Sequence, residues 1–439
     1  MKDVFRSGAF RHLFAAQVVA LLGTGLLTVA LALLAFDIAG GDAGTVLGTA
    51  LAIKMVVYVI VAPVSGAFLS DVPRRSLLVS LDLVRVGVAL MLPFVTEVWQ
   101  VYVLIFFLQT ASAAFTPAFQ ATIPDILTDE KAYTKALSLS RLAYDLENLI
   151  SPLLAGALIS VLAFNHLFVG TAIGFLLSAA LVVSTSLPAT TAKREHGIRE
   201  RLTLGIRIYM ATPRLRGLLA ANLAVAAAGA MVIINTVVIV QGAFGLTERE
   251  TALAFAAFGG GSTVVALELP RLLDRLSDRP VMLVGAALLT LGVAVSGVLP
   301  GFGFVAVVWF LLGCGTALAM TPSGRLLRRS VHAEDRPAIY AAQFALSHAC
   351  WLAAYPLAGW LGSILGLATT AVILAVLAAI GTVTAFLVWP ADDMEIVEHT
   401  HADLPPDHPH LQSGEPRAGH RHAHPYVIDD LHMMWPQAR

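Results

Sequence analysis

Residues 13–36 read LFAAQVVALLGTGLLTVALALLAF and contain no acidic or basic side chain. As an α-helix this stretch is long enough to cross the hydrocarbon core of a bilayer, which takes about 20 apolar residues. A signal peptide has a shorter apolar core and small residues at its cleavage site, whereas this run is longer and ends without such a pattern. Residues 13–36 therefore predict a transmembrane helix that the protein retains.

The rest of the chain has the same apolar character. Of its 439 residues, 57% are hydrophobic and 13% are charged, and the mean hydropathy is +0.79. Soluble domains carry about 25% charged residues. In lipid every backbone amide must bond within the protein, so the chain must span as helices or as a closed barrel. The apolar runs are long and do not alternate, which favours helices.

Twelve apolar windows follow one another along the chain. They cover residues 13–36, 45–69, 77–95, 98–118, 136–163 and 166–187, and then 216–241, 251–270, 281–299, 303–322, 338–363 and 367–389. The sequence thus predicts an all-α membrane protein with two pseudo-symmetric six-helix bundles. The predicted divisions are a first bundle at 1–187, a basic cytoplasmic linker at 188–215, a second bundle at 216–390 and a tail at 391–439.

Basic side chains between the spans predict the orientation. If the N-terminus is cytoplasmic, the loops on that side hold Arg74, Arg75, Lys131, Lys135, Arg275, Arg279, Arg325, Arg328, Arg329 and Arg336. The opposite loops hold only Arg249. Because cytoplasmic loops carry the excess of lysine and arginine, we expect a multi-pass protein of a bacterial-type inner membrane with both termini in the cytoplasm.

The two halves share landmarks at a nearly constant offset. Asp71 and Asp274 are 203 residues apart, Thr116 and Thr321 are 205 apart, and Pro152 and Pro356 are 204 apart. Six spans return the chain to the same side, so the copies are parallel repeats about an axis along the membrane normal. Two such bundles that rock around a midplane cavity form an alternating-access transporter.

Residues 66–75 follow the second span and read GAFLSDVPRR. This segment resembles the loop signature of the major facilitator superfamily, which combines glycine, a small residue, aspartate and basic residues. The resemblance covers about residues 5–390 and implies the twelve-helix fold. It also implies that Asp71, Arg74 and Arg75 help to gate the path, with Asp274 and Arg279 as counterparts, although Arg74 is equally consistent with a charge at the lipid headgroups.

Span five contains SPLLAG at residues 151–156. It is similar to the Gly-Pro-x-x-Gly-Gly motif of proton-coupled exporters within that superfamily. We therefore expect Ser151, Pro152 and Gly156 at a kinked, closely packed helix contact. Residues 115–125 resemble the subgroup that contains macrolide, siderophore and metal exporters, so the resemblance implies export.

A few polar side chains within the spans are candidates for binding the proton or the substrate. They are Lys54, Gln109, Asp145, Glu147, Asn222, Asn235 and His348. Asp145 lies four residues after Arg141, so these two are expected to pair within the helix. Glu147 has no cation at that spacing and is the favoured carrier, whereas a structural ion pair for Lys54 and helix packing for the amides stay open.

Eight of the thirteen histidines follow the last span. Seven of them form His-x-His patterns and are predicted metal ligands: His399, His401, His408, His410, His420, His422 and His424. Imidazoles with nearby carboxylates suit Ni(II), Co(II), Cu(II) and Zn(II). Because prolines punctuate this tail, we expect it to be largely disordered and to collect ions near the cavity. A tail that is rich in histidine without a metal role is the alternative.

These patterns favour a proton antiporter that exports nickel or cobalt, and the tail resembles that of the nickel-resistance exporters in the same superfamily. An exporter of a drug, macrolide or siderophore and a non-transporting metal sensor are the alternatives. No nucleotide-binding loop or nucleophile–base pairing indicates an enzyme. We expect a monomer in the lipid bilayer that needs no cofactor, binds no nucleic acid and takes a small inorganic cation or a small amphipathic molecule.

Overall fold

The computed structural model describes residues 4–39, 43–69, 71–188, 198–298, 300–393, 396–401, 404–405, 409–412, 415–416 and 421–436. Within these ranges, the side chains of residues 43–45, 148–149, 152–153, 198–199, 201, 248, 363, 409, 412 and 415–416 are not described.

The helices of the first half are α1 Gly8–Ala39, α2 Ala43–Phe68, α3 Arg74–Met91, α4 Val98–Ile126, α5 Glu130–Ile159 and α6 His166–Val183. After α7 Ile198–Ala211, the second half contains α8 Pro213–Val237, α9 Glu248–Leu273, α10 Asp278–Val295, α11 Phe302–Met320, α12 Ser323–Arg329, α13 Arg336–Leu365 and α14 Leu367–Val388. The tail holds β1 Ile396–Thr400, α15 Pro409–Gln412, β2 Glu415–Pro416 and β3 Arg421–Pro425.

Within the described residues, twelve helices have 18 residues or more, as the apolar windows predict. Ten segments are long and apolar enough to cross a membrane by length and composition. The two long helices outside that set are α5 and α13, and α5 carries Arg141, Asp145 and Glu147 within its length. Charged side chains within a membrane helix are candidates for function.

The long helices pack as two bundles. Helices α1 to α6 form the first bundle, and α8 to α11 with α13 and α14 form the second. Glycines permit the closest approaches: a Cβ on Gly23 of α1 would lie 3.1 Å from the carbonyl oxygen of Thr171 in α6. The bundles meet where α2 and α4 contact α13 and where α5 contacts α9. This arrangement confirms the predicted twelve-helix fold.

One end of the bundles carries the tail, and we call it the tail face; the opposite end is the far face. Residues 321–335 lie at the tail face, and Leu326, Leu327 and Val331 there share an apolar cluster with Tyr426 and Ile428 of the tail. Within the predicted linker, α7 also packs on this side against α13. Residues 189–197 lie outside the described residues.

The expectation of a largely disordered tail is wrong for the residues that the structure describes. Strands β1 and β2 pair with the two edges of β3, giving an antiparallel sheet of order β1-β3-β2. Proline does not interrupt the sheet because Pro416 and Pro425 stand at strand ends. Burial of Tyr426 and Ile428 against the bundle supplies the apolar core that composition alone did not indicate.

Candidate transport path and tail metal centre

Four polar or charged side chains meet between the bundles, and we call them the pore cluster: Lys54, Tyr58, Glu147 and His348. Lys54 Nζ lies 5.6 Å from the centroid of the Tyr58 ring, one turn along α2. The Tyr58 and His348 rings are 4.8 Å apart, which joins α2 of the first bundle to α13 of the second. Glu147 of α5 interacts electrostatically with Lys54. The cluster therefore links the two bundles.

Glu147 and Lys54 give this region its chemistry. A carboxylate within a membrane helix is costly unless a partner or water compensates the charge, so such residues mark proton or ion pathways. Lys54 supplies the compensating charge here, from a helix that Glu147 does not share. Helical spacing along α5 does not indicate this partner, because Lys54 lies on α2.

The imidazole of His348 is held among aromatic rings. Its Nδ1 donates to the carbonyl oxygen of Phe344 at 2.7 Å. The centroids of the Phe344 and His348 rings lie 4.2 Å apart. This bond leaves Nε2 as the nitrogen with the free lone pair. A single imidazole beside the ammonium of Lys54 is a poor metal site, because both the ligand number and the local charge oppose a cation.

Arg74 is the centre of the first half of a gate at the tail face. Its Nη2 lies 2.9 Å from Asp125 Oδ2 at the end of α4, and its Nη1 donates to Thr122 at 3.1 Å. The other carboxylate oxygen of Asp125 pairs with Arg336 at the start of α13. One carboxylate thus ties an arginine of the first bundle to an arginine of the second.

The second half of the gate repeats this pattern with the charges exchanged. Asp278 begins α10 and pairs with Arg325 at 3.1 Å and with Arg329 at 3.6 Å. Arg325 also pairs with Glu130 of the first bundle at 2.6 Å. Arg74 and Asp278 are 204 residues apart, and so are Asp125 and Arg329. The gate therefore follows the internal repeat, with a cation in one copy where the other has an anion.

Further contacts close the tail face between the two half-gates. The hydroxyls of Tyr133 and Tyr340 lie 2.6 Å apart across the bundles, and Arg328 donates to the backbone carbonyl of Thr128. Deeper in the membrane, Arg141 Nε donates to Ser262 at 3.0 Å. Each of these bonds joins the two bundles through the part of a helix or loop that lies toward the tail face. The structure is therefore closed at that face.

Six imidazoles converge in the tail, and we call them the six-histidine centre: His399, His401, His410, His422, His424 and His432. Pairs of their Nε2 atoms lie between 3.0 and 3.3 Å apart. They form two overlapping sets of four possible metal ligands, which share His399 and His410. The predicted ligands His408 and His420 lie outside the described residues.

The outer nitrogens of three of these rings are held by oxygen acceptors. Nδ1 of His399 lies 3.0 Å from the carbonyl oxygen of Val397, and Nδ1 of His424 lies 2.8 Å from that of Pro425. Nδ1 of His432 lies 2.9 Å from Asp429 Oδ1. Such bonds fix the tautomer in which Nε2 keeps its lone pair, as in most protein metal sites.

The electrostatics of the tail favour the form of histidine that binds metals. Burial, reinforced by the neighbouring imidazoles, lowers the pKa of His399 and of His410 to about 4. Both rings are therefore neutral near pH 7, and only a neutral imidazole can donate a lone pair. Burial alone would raise the pKa of Asp429, but its hydrogen bonds from His332 and His432 lower it below the usual range.

The family model of the Major Facilitator Superfamily matches residues 13–235 and 218–414, which together span most of the chain. The chain belongs to the Major Facilitator Superfamily. Members of that superfamily are multi-pass membrane transporters of small molecules and are not enzymes, as the sequence predicts. Superfamily members are typically monomeric.

Among sequence relatives within the superfamily, macrolide efflux protein A of Streptococcus pyogenes is 24% identical over 184 residues, which are 41% of this chain and 45% of that protein. The uncharacterized transporter YfiS of Bacillus subtilis is 27% identical over 124 residues, 28% of this chain and 30% of that protein. The chain therefore aligns with less than half the length of these relatives.

Solved superfamily structures share the fold. The human organic anion transporter MFSD10 superposes with a TM-score of 0.74 at 11% identity, over 87% of this chain and 99% of that one. The fucose:proton symporter FucP of Escherichia coli gives a TM-score of 0.68 at 14% identity, over 87% of this chain and 98% of that one.

Only part of the superfamily loop signature at residues 66–75 takes part in the gate. Arg74 is 9% exposed and bonded within the gate, so the alternative in which it only reaches lipid headgroups is wrong. Asp274 instead makes an exposed contact with Lys131 at 3.7 Å. Arg279 caps α14 by donating to the carbonyl oxygens of residues 386 and 389, and Arg75 is exposed. Asp71 is exposed, and its gating role stays a prediction.

Among the other predicted residues, Ser151 and Asp145 lie at contacts, whereas the expectation of close packing at Gly156 is wrong because no atom lies within 4 Å of its Cβ position. Ser151 is buried where α5 crosses Gly25 of α1, Gly156 is exposed, and the side chain of Pro152 lies outside the described residues. Asp145 pairs with Arg141 at 2.9 Å, which confirms the predicted intrahelical pair.

The three predicted amides also lie outside the pore cluster. Asn235 donates to the carbonyl oxygen of Ala358 at 3.4 Å, and so it holds α8 to α13. Asn222 is buried within α8, and Gln109 is half-buried on α4.

Proposed function

We propose that this protein exports a divalent transition-metal ion, nickel or cobalt first, in exchange for protons. The observation that carries this proposal is the six-histidine centre, which gathers neutral imidazoles on the tail face of a transporter. Imidazole nitrogen favours first-row transition metals over Mg(II) and Ca(II), which prefer oxygen ligands. The basic loops support a cytoplasmic tail face in the inner membrane of a bacterium.

Glu147 is the proposed proton carrier. It is a carboxylate within a membrane helix, and its charge is compensated by Lys54 of another helix in the same bundle. Protonation of Glu147 would leave Lys54 without its partner, so uptake of a proton would alter the helix contacts around the pore cluster. Such a coupling between charge and packing is what alternating access requires.

An exporter of an amphipathic organic compound is the second candidate. The relatives named above as macrolide efflux proteins favour it, and so do the rings of Tyr58, Phe344, Trp351 and Tyr355 along α2 and α13. Aromatic surfaces bind apolar compounds through area and ring stacking.

A panel of metals and macrolides, tested on cells with and without the gene, separates the candidates. Protection against nickel or cobalt supports the first proposal, whereas protection against macrolides alone overturns it. Orientation is tested with an impermeant thiol reagent outside the cell, which should label a cysteine at Glu97 and spare one at Arg328. Labelling of the cysteine at Arg328 alone would show that the orientation is the opposite one.

A further inference from the structure

The contacts of His410 require more than ordinary hydrogen bonding. Its Nε2 lies 3.2 Å from that of His401, 3.1 Å from that of His422 and 3.3 Å from that of His424. An imidazole nitrogen carries either one hydrogen or one lone pair in the ring plane, so it cannot serve three such neighbours at once. A cation that accepts the lone pairs of all these rings removes the conflict.

The six rings have the neighbour pattern of an octahedron, in which each ligand has four neighbours and one opposite. His399 and His410 are opposite, with ring centroids 6.1 Å apart. Each lies between 4.4 and 5.0 Å from the other four rings. Those four close a square with sides of 5.0 to 5.4 Å, in the order His401, His432, His424, His422.

The nitrogen spacings agree with this pattern. Metal–imidazole bonds of about 2.1 Å place adjacent ligand atoms of an octahedron about 3.0 Å apart and opposite ones about 4.2 Å apart. Five of the adjacent Nε2 pairs lie 3.0 to 3.3 Å apart, and each set of four ligand atoms lies within 4.8 Å.

We propose that the six-histidine centre binds one six-coordinate divalent transition-metal ion and that this ion locks the tail onto the closed gate. Zn(II) prefers four ligands in protein sites, and Cu(II) prefers a square of four. Six nitrogens in an octahedron suit Mn(II), Fe(II), Co(II) and Ni(II), and affinity rises in that order. Ni(II) is therefore the best fit.

A short relay connects the metal centre to the gate. Nδ1 of His432 is bonded to one oxygen of Asp429, and the other oxygen lies 3.3 Å from Nε2 of His332. His332 stands in the connection between α12 and α13, the two helices that supply Arg325 and Arg336 to the gate. Two hydrogen bonds, through Asp429, thus connect the ligand His432 to the segment that must move when the gate opens.

Binding of the ion should therefore favour the closed gate. A ligand that binds only one state of a protein stabilises that state in proportion to its saturation. Six ligands from three separate tail segments, residues 399–401, 410 and 422–432, coincide only when the tail is assembled, and the assembled tail packs on α12. The centre leaves no coordination position open for transfer, so it senses the ion and does not pass it on. This inference goes beyond the proposed function and does not require the ion to be the cargo.

Metal binding is tested on the full-length protein in lipid nanodiscs. Equilibrium dialysis with Ni(II) should give one ion per chain, and X-ray absorption should show six nitrogen neighbours. His432→Ala should weaken binding at least tenfold, while His166→Ala, on the far face, should not change it. Asp429→Asn keeps all six ligands and should weaken binding by about 10–100-fold. Several ions per chain or a four-coordinate spectrum would overturn the proposal.

The lock is tested by the reactivity of a buried residue of the gate interface. Ser65 is 8% exposed on α2 and lines a small cavity with Pro337 and Ala341 of α13. In a Cys314→Ser, Cys350→Ser background, Ser65→Cys should react several-fold more slowly with an impermeant maleimide when Ni(II) is added to inverted vesicles. Asp429→Asn should abolish this slowing even at Ni(II) concentrations that fill its centre. An unchanged rate in the native tail contradicts the lock, whatever the cargo proves to be.

Discussion

The pore cluster and the six-histidine centre both contain imidazole, yet they are built for different chemistry. In the pore cluster, His348 is the one imidazole among the four described side chains, and it packs among aromatic rings with Lys54 as a neighbouring charge. In the tail, six imidazoles converge, and three of their outer nitrogens are held by oxygen acceptors. The pore is thus suited to proton exchange and transient passage, whereas the tail is suited to holding one ion.

This difference changes the expected role of the tail. A flexible chain with separate His-x-His pairs would raise the local metal concentration and release ions readily. The described tail instead gathers its imidazoles into one centre that packs on the gate. Regulation of the gate is therefore better supported than an ion reservoir. Transport and metal sensing should be separable by mutation.

Replacement of Glu147 should have the largest effect on transport. Glu147→Gln removes the only titratable oxygen of the pore cluster apart from the Tyr58 hydroxyl, so proton-driven export in inverted vesicles should fall to background. Ni(II) binding by the tail should not change. Glu268→Gln, an exposed carboxamide substitution on α9, is the matched control. Wild-type export by Glu147→Gln would remove this residue from the mechanism.

The gate should be the next most sensitive region. Asp125→Asn leaves Arg74, which is buried, and Arg336, which is half-buried, without their shared anion. It should therefore lower the free energy of unfolding by roughly 2–4 kcal/mol. It should also speed the labelling of Ser65→Cys. Thermal unfolding of the purified protein measures the first effect, with Asp37→Asn as an exposed control. Equal stability of both variants would show that the ion pairs do not hold the gate.

Deletion of residues 396–436 should have a smaller and more selective effect. Export at saturating metal should persist, because the pore cluster and its helices are intact. The slowing of Ser65→Cys labelling by Ni(II) should disappear. Export rates and labelling are measured in the same vesicles, after the amount of inserted protein has been compared. Loss of export at every metal concentration would show that the tail belongs to the transport machinery.

The loop contact between Lys131 and Asp274 should matter least. These side chains are 74% and 51% exposed, and exposed ion pairs contribute about 0–1 kcal/mol. Lys131→Ala should therefore leave unfolding and export within error of the wild type. A clear change in gate labelling would support the predicted gating role of Asp274.

Most of the fold could be predicted because membrane helices follow from local composition. The composition of residues 13–36 predicts a transmembrane helix by itself, and the same holds for most of the other apolar windows. The Arg141–Asp145 pair also depends only on helical spacing. The tail was different, because its order depends on contacts between residues 399 and 432 and on burial against α12.

The gate could be located but not fully assigned. The repeat was found by matching like with like, which paired Asp71 with Asp274. The ion pairs of the gate relate opposite charges, Arg74 to Asp278, and a search for identical residues does not detect this correspondence. Asp125 ends the segment 115–125, but its two arginine partners lie on other helices, so its ion pairs could not be predicted from the sequence. His432 has no His-x-His neighbour, so the sequence pattern does not predict it as a ligand.

The most direct test of the proposed function is the uptake of radioactive nickel by inverted vesicles that carry an imposed pH gradient. We predict saturable uptake in the wild type that a protonophore abolishes and that Glu147→Gln lacks. Vesicles without the tail should still accumulate nickel when the metal is saturating. Uptake of a macrolide but not of nickel or cobalt in the same vesicles would contradict the account.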